Sequence, residues 1–299
     1  MPDFTAVPQL RNHSAEEPGR LADIAAWLAA AQDSERAQPL SRPRAIIFAG
    51  AHGIAERTID GVGIGPHTGA DEERWRENIA TAAQRAGAGV DFLECAEAAP
   101  IDVSPAMSAE QLEHHVELGK EAADREVDSG ADLLIASDFG IGGETVAAAV
   151  MGRITYTEPV AILGTRTAGG MTDGMWKTRV TIVRDAMFRA RNLEGWEVVQ
   201  TIGSPSLAGL VGFIAQAAVR RTPMLIAGPL AATAAVLAER SAPGVKCWLR
   251  AGSSSPEPAE ALAYKELGLS PLLDLDLGAG YPLGALAALP LVQLAAELA

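Results

Sequence analysis

Short apolar runs recur along the chain at Ala45–Ala49, Val90–Leu93, Leu133–Ala136, Val160–Leu163, Met224–Ala227 and Val245–Leu249, separated by longer stretches with helical patterns. Alternation of this kind predicts an α/β fold in which the runs are strands of a parallel, Rossmann-like sheet flanked by helices. Ahead of the first run, Arg20 to Ala31 places Leu21, Ile24, Ala25 and Leu28 on one helical face, and Pro39 and Pro43 close the segment. Ser108-Ala109-Glu110-Gln111 has the form of a capping box, launching a helix through Leu112, Val116, Gly119 and Ala123 toward Gly130. Asp173 to Arg191 reads as a further helix, with Met175, Trp176, Val180, Val183 and Met187 spaced for core packing.

Composition narrows the partners. With 299 residues, 48% of them hydrophobic, the chain can bury a substantial core. A formal charge of -14 argues against nucleic acid, whose binders rely on clustered Lys and Arg. Two cysteines, Cys95 and Cys247, cannot build a disulfide framework or a multi-Cys metal site, which suits a reducing, cytoplasmic setting. Met1 to Glu16 has no apolar signal core, and Pro282, Pro290 and acidic residues interrupt the late apolar stretches, so no membrane span is expected.

Candidate chemistry gathers at predicted strand ends. Ser137 to Thr145 follows one apolar run and precedes a small-residue helix, and Gly140, Gly142 and Gly143 would let the backbone approach a ligand beside a helix N-terminus suited to phosphate or carboxylate. A tight connection needs the same glycines, so the loop alone does not decide. Gly50-Ala51-His52-Gly53 and the Gly61 to Gly69 stretch add glycine-rich loops, and residues 50–53, 137–145, 164–167, 227–230 and 251–257 are candidates for one shared rim. His52 fits site lining or loop packing equally well. His114 and His115, about 100° apart on a helix, read as surface residues rather than a chelating pair. Ser253-Ser254-Ser255 reads as a polar loop, and Arg166 and Thr167 suit either phosphate or solvent.

Taken in order, Pro18-Gly19-Arg20-Leu21, Ile46-Ile47-Phe48-Ala49-Gly50 with His52-Gly53, Pro105-Ala106-Met107-Ser108, Gly140-Ile141-Gly142, Lys177, the helix after Gly203, Ile226-Ala227-Gly228 and Leu267 to Leu275 span most of the chain. They resemble the nicotinate-nucleotide:dimethylbenzimidazole phosphoribosyltransferase family, which makes the lower-ligand nucleotide of cobalamin. The resemblance implies an α/β core at 44–275, with an N-terminal helical segment (1–43) and a C-terminal helix (276–299) forming a small helical appendage. It also implies a homodimer, or a heterodimer with an intact paralogue. The implied reaction moves phosphoribose from nicotinate mononucleotide to an aromatic base, without metal or cofactor. Gly140, Ile141, Gly142, Gly143, Thr145, Lys177 and His52 would hold the ligands.

Several family acids are replaced. Ala51 stands for the Asp before His-Gly, Ala227 for the Asp after the later strand, and Gly203-Ser204-Pro205-Ser206 for Gly-Gly-x-Glu. Ala279 occupies the place of the family's proposed base, while Gly143 and Glu144 replace Asn and Thr. Asp138, one methylene shorter than the family Glu, and Glu144 are the candidate replacement acids; the alternative is that they satisfy the loop and the helix N-terminus. An active transferase using relocated acids, a degenerate nucleotide- or base-binding paralogue or partner subunit, and an enzyme of altered chemistry all fit this pattern.

Overall fold

The computed structural model describes residues 4–6, 19–58, 69–164, 172–275 and 281–299. After a 3-10 turn at Phe4–Ala6 come α1 (Arg20–Ala31), β1 (Pro43–Ala49), α2 (Ala55–Thr58), α3 (Gly69–Arg85), β2 (Gly89–Glu94), α4 (Ala109–Asp128) and β3 (Leu133–Phe139). Next are α5 (Gly143–Thr155), α6 (Pro159–Leu163), α7 (Asp173–Arg189), α8 (Trp196–Ile202), α9 (Pro205–Val219) and β4 (Met224–Ile226). The chain continues through α10 (Pro229–Ser241), β5 (Leu249–Ala251), α11 (Pro258–Leu267) and α12 (Tyr281–Glu297). Among the described residues, no helix is long and apolar enough to cross a membrane.

The five strands form one parallel sheet in the order β2-β1-β3-β4-β5. Side chains alternate between its faces with the period of two that a strand dictates. Ile46, Phe48, Leu134, Ala136, Met224 and Ile226 face the core built with α4, α5, α9 and α10. Ala45, Ile47, Leu133, Ile135 and Leu225 face α1, α3 and α12. Helix α1 is therefore covered almost all round, with Trp27 and Leu28 fully buried, although Leu21 at its start stays exposed.

Two apolar runs depart from the strand expectation. Val160–Leu163 lies inside α6, where Pro159 takes the first helical position after Glu158. Only Ile162 and Leu163 of the run are buried, Val160 and Ala161 being exposed, so a short apolar run fits a half-buried helical turn as well as a strand, and proline's fixed φ favours the helix start. Val245–Trp248 is a 3-10 turn, and only Leu249 of that run enters β5. The capping box is present as expected: Ser108 Oγ accepts from Gln111 N at 3.1 Å, and Gln111 Oε1 accepts from Ser108 N at 2.9 Å.

Helices α4 and α9 meet backbone to backbone. A Cβ at Gly119 would strike the Gly209 carbonyl oxygen, and one at Gly212 would strike that of Val116. Gly119→Ala is expected to destabilise the fold by about 3 kcal/mol, because neither helix can retreat without opening the core. The drop should appear as a lower urea midpoint with an unchanged slope.

Candidate active site

Strand order fixes where a ligand can sit. From β1 the chain passes to β2 on one side and then to β3 on the other, so the connections diverge at the carboxyl ends of β1 and β3. That switch point leaves a crevice no crossover covers. The two exits are pinned together: Gly50 N donates to Phe139 O at 3.2 Å, and Gly140 packs on the Gly50 carbonyl oxygen, where any Cβ would collide. Gly142 then turns with φ 92°, a left-handed conformation that favours glycine, and α5 begins at Gly143. The start of α5 thus lies beside the crevice with the partial positive charge of a helix N-terminus, and the Glu144 carboxylate accepts from the Gly142 and Glu144 backbone N–H groups there.

Asp138, near the end of β3, and His52, just past β1, are buried polar side chains at these strand exits. Asp138 is 3% exposed and His52 2%. Neither Asp138 Oδ1 nor His52 Nδ1 has a hydrogen-bond partner among the described residues. Burial first, then the nearby charges of Glu144 and Glu260, push the Asp138 carboxyl up to about 8. Burial holds the His52 imidazole down at about 4, so the ring is neutral at ordinary pH.

The other expected residues separate into two groups. Gly140 and Ile141, with Gly50, Ala51, Cys95 and Phe139, line a cavity of about 230 Å³. Burial pushes the Cys95 thiol up to about 12, which removes it as a nucleophile. Thr145 is fully buried, its Oγ1 accepting from Arg179 Nε at 3.0 Å. Glu144 is partly buried, and its carboxyl is raised by burial, opposed by Arg179 and reinforced by Glu257. Lys177 is exposed on α7, about 200° around the helix from the buried Arg179. Arg166, Thr167, Ala279 and the 61–68 glycine stretch lie outside the described residues.

Three side chains hold the rim together, of which Glu260 and Arg179 went unnoticed in the sequence and Ser137, read there as loop, lies within β3. Glu260 is 1% exposed and accepts from Gly228 N at 2.8 Å, Ser255 N at 2.6 Å and Tyr264 Oη at 2.9 Å. It thereby ties the loop after β4 to the loop after β5. Arg179 grips Glu257 through both terminal nitrogens, at 3.3 and 3.0 Å, and so joins α7 to the start of α11. Ser137 Oγ donates to Ala227 O at 2.9 Å and links the ends of β3 and β4. A usable signal exists for the first two: Arg179 lies between Met175 and Val183, and Glu260 beside Ala259, Ala263 and Tyr264, each a charge inside a buried helical stripe.

One expectation changes. His115 is buried rather than on the surface, its Nδ1 2.7 Å from Gln111 O and its Nε2 accepting from Ala96 N at 3.2 Å. It is a strut between α4 and the exit of β2. Ser254 and Ser255 are also held internally, by Asp274 and Glu260.

The sequence model of the Phosphoribosyltransferase family matches residues 11–299. The nicotinate-nucleotide–dimethylbenzimidazole phosphoribosyltransferase of Corynebacterium glutamicum is 39% identical over 302 residues, covering 94% of this chain and 82% of its own length. The protein of that name from Mycobacterium avium is 38% identical over 319 residues, covering 98% and 91%. The crystal structure of CobT from Thermus thermophilus superposes with a TM-score of 0.86 at 27% identity, over 99% of this chain and 95% of that one. Sheet order, crevice and these likenesses agree: the chain belongs to the nicotinate-nucleotide–dimethylbenzimidazole phosphoribosyltransferase family.

Proposed function

We propose that the chain transfers phosphoribose from nicotinate mononucleotide to dimethylbenzimidazole in assembly of the cobalamin nucleotide loop, with Asp138 as the proton acceptor. In that step one ring nitrogen of the benzimidazole bonds to the ribose anomeric carbon. The bond from that carbon to the pyridinium nitrogen breaks, its electron pair leaving with nicotinate. The proton on the other azole nitrogen passes to the Asp138 carboxylate. The observation that carries the reading is Asp138 itself, a buried carboxyl at the switch-point crevice with an unpartnered oxygen. Gly140, Ile141, Gly142, Gly143 and Thr145 would wall the site, with His52 beneath; the phosphate would take the α5 N-terminus, with Lys177 of α7 as its counter-charge.

The replaced acids favour a second reading, a nucleotide- or base-binding paralogue that is itself inactive or serves a partner subunit. Ala51, Ala227, Ser206 and Ala279 offer no carboxylate at the positions where the family resemblance implies one. Mixing purified protein with nicotinate mononucleotide and dimethylbenzimidazole separates the two. Equimolar nicotinate and phosphoribosylated base, released roughly a hundredfold more slowly than by the Corynebacterium glutamicum relative, is the expected result. Calorimetric binding of the nucleotide with no product would favour the inactive paralogue, and neither binding nor product would sink both. We further infer a homodimer, as the family resemblance implies, to be checked by sedimentation of the purified chain, and a cytoplasmic setting, which two free cysteines suit.

A further inference from the structure

The cavity that Gly140 and Ile141 help to line has one charged wall, built from Arg76 and Glu72 of α3 and Glu94 at the end of β2. Arg76 is held there from three sides. Its Nε and Nη2 donate to Glu72 Oε1 at 3.0 and 2.7 Å, and its Nη1 lies 2.8 Å from Glu94 Oε1. Its guanidinium also packs over the Phe92 ring, 4.6 Å from the centroid, with Phe139 at 5.7 Å. Each terminal guanidinium nitrogen carries a second N–H and each carboxylate accepts at both oxygens, so the clamp leaves donors and acceptors side by side at the cavity edge. Elsewhere the lining is small, with Gly50, Ala51 and Gly140 leaving room for a flat plate. At about 230 Å³ the space suits one ring system rather than a whole nucleotide. Two carboxylates against one guanidinium leave the wall net negative, which repels a ring bearing its own carboxylate. A ring presenting only methyl groups would strip water from these charges and return no hydrogen bond.

We propose that Arg76 and Glu94 are specificity-determining residues of this cavity, which takes a neutral aromatic base carrying a hydroxyl or amino group in preference to one carrying methyl groups. A ring hydroxyl answers both side chains: its O–H donates to the Glu94 carboxylate, and its oxygen accepts from the Arg76 guanidinium. An amino group donates to Glu94 in the same way, while a neighbouring ring nitrogen accepts from Arg76. The guanidinium is already oriented by Glu72 and Phe92, so little side-chain freedom is lost when the base arrives. This choice of base rests on the reading of the chain as a base-handling transferase given above; the polar wall itself does not.

Titration calorimetry of the full chain with hydroxybenzimidazole and with dimethylbenzimidazole, nucleotide left out, reads the preference without any turnover. The hydroxylated base should bind roughly tenfold or more tightly. That ratio should fall by about threefold or more in Arg76→Met, whose long apolar stem still covers Phe92, and likewise in Glu94→Ala. Glu94 is an exposed strand-end residue, so its variant decides the matter if Arg76→Met fails to fold. Equal affinities in the unaltered chain, tighter binding of the dimethyl base, or a ratio that survives in the folded variants overturns the proposal, as does the absence of heat from either base. Nicotinate that competes with the bases and is lost in Arg76→Met would make the wall an anion site and also overturn it. Product formation is scored apart. A base preference with no product rejects the transferase reading and leaves the cavity's selectivity standing, whereas brisk turnover of dimethylbenzimidazole by a chain without the preference does the reverse.

Discussion

Asp138→Asn is expected to slow the chemical step by roughly two to four orders of magnitude while nicotinate mononucleotide affinity stays within about twofold. The amide keeps the shape and size of the carboxyl but cannot accept the azole proton. Activity of the unaltered chain should rise with pH and level off near 8, because only the ionised carboxyl serves as a base and burial holds its proton until that pH. Stability should run the other way. Below the ordinary carboxylate value of 3.8 the group is protonated in folded and unfolded chains alike. Between there and about 8 only the folded chain holds the proton, so rising pH progressively removes this group's contribution to stability. The asparagine variant should lose that part of the slope, measured as urea midpoints across pH. A variant with unchanged single-turnover rate would remove Asp138 from the chemistry.

Glu260→Ala is expected to destabilise the protein by about 4 kcal/mol, since it strands three donors, Gly228 N, Ser255 N and Tyr264 Oη, in a buried place at about 1–3 kcal/mol each. Partial access of water to the new hole keeps the total below the sum of the separate losses. Glu260→Gln should cost less than half as much: its amide oxygen still serves Gly228 and Tyr264, and only the Ser255 N–H meets a donor. Chemical denaturation of the two variants measures the difference. Equal losses in both would mean that the carboxylate's charge, rather than its two-sided acceptance, holds the β4 and β5 loops together.

Much of this architecture was legible in the chain's pattern. β1, β2 and β3 announce themselves because each is a run of apolar residues with polar or glycine-rich stops, and the capping box at Ser108 specifies a helix start through two reciprocal hydrogen bonds. Val160–Leu163 misleads because a run of four apolar residues is too short to tell a half-buried helical turn from a strand. The crevice glycines were visible for a related reason: close backbone approach leaves its mark as missing side chains. The partners of Glu260 and Arg179 were hidden, because they lie far along the chain or are backbone groups. A carboxylate accepting from Gly228 and Ser255 has no pairwise signature in sequence. His115 misleads likewise, since nothing in a helix surface pattern reveals that a main-chain N–H waits opposite its ring.

The contact of Gly140 with the Gly50 carbonyl also bears on how this scaffold can change its diet of small molecules. With those two backbones touching, position 140 tolerates no side chain, and a Cβ at position 50 would sit tightly, 3.1 Å from Cys95 Cβ, so the two loops share a fixed spacing. Inherited variation in ligand choice must then be channelled through their immediate neighbours, Ala51 and Ile141, which border the same cavity and are free to grow or shrink. An evolving lineage would retune the hollow from those two corners while the hinge between them stays frozen.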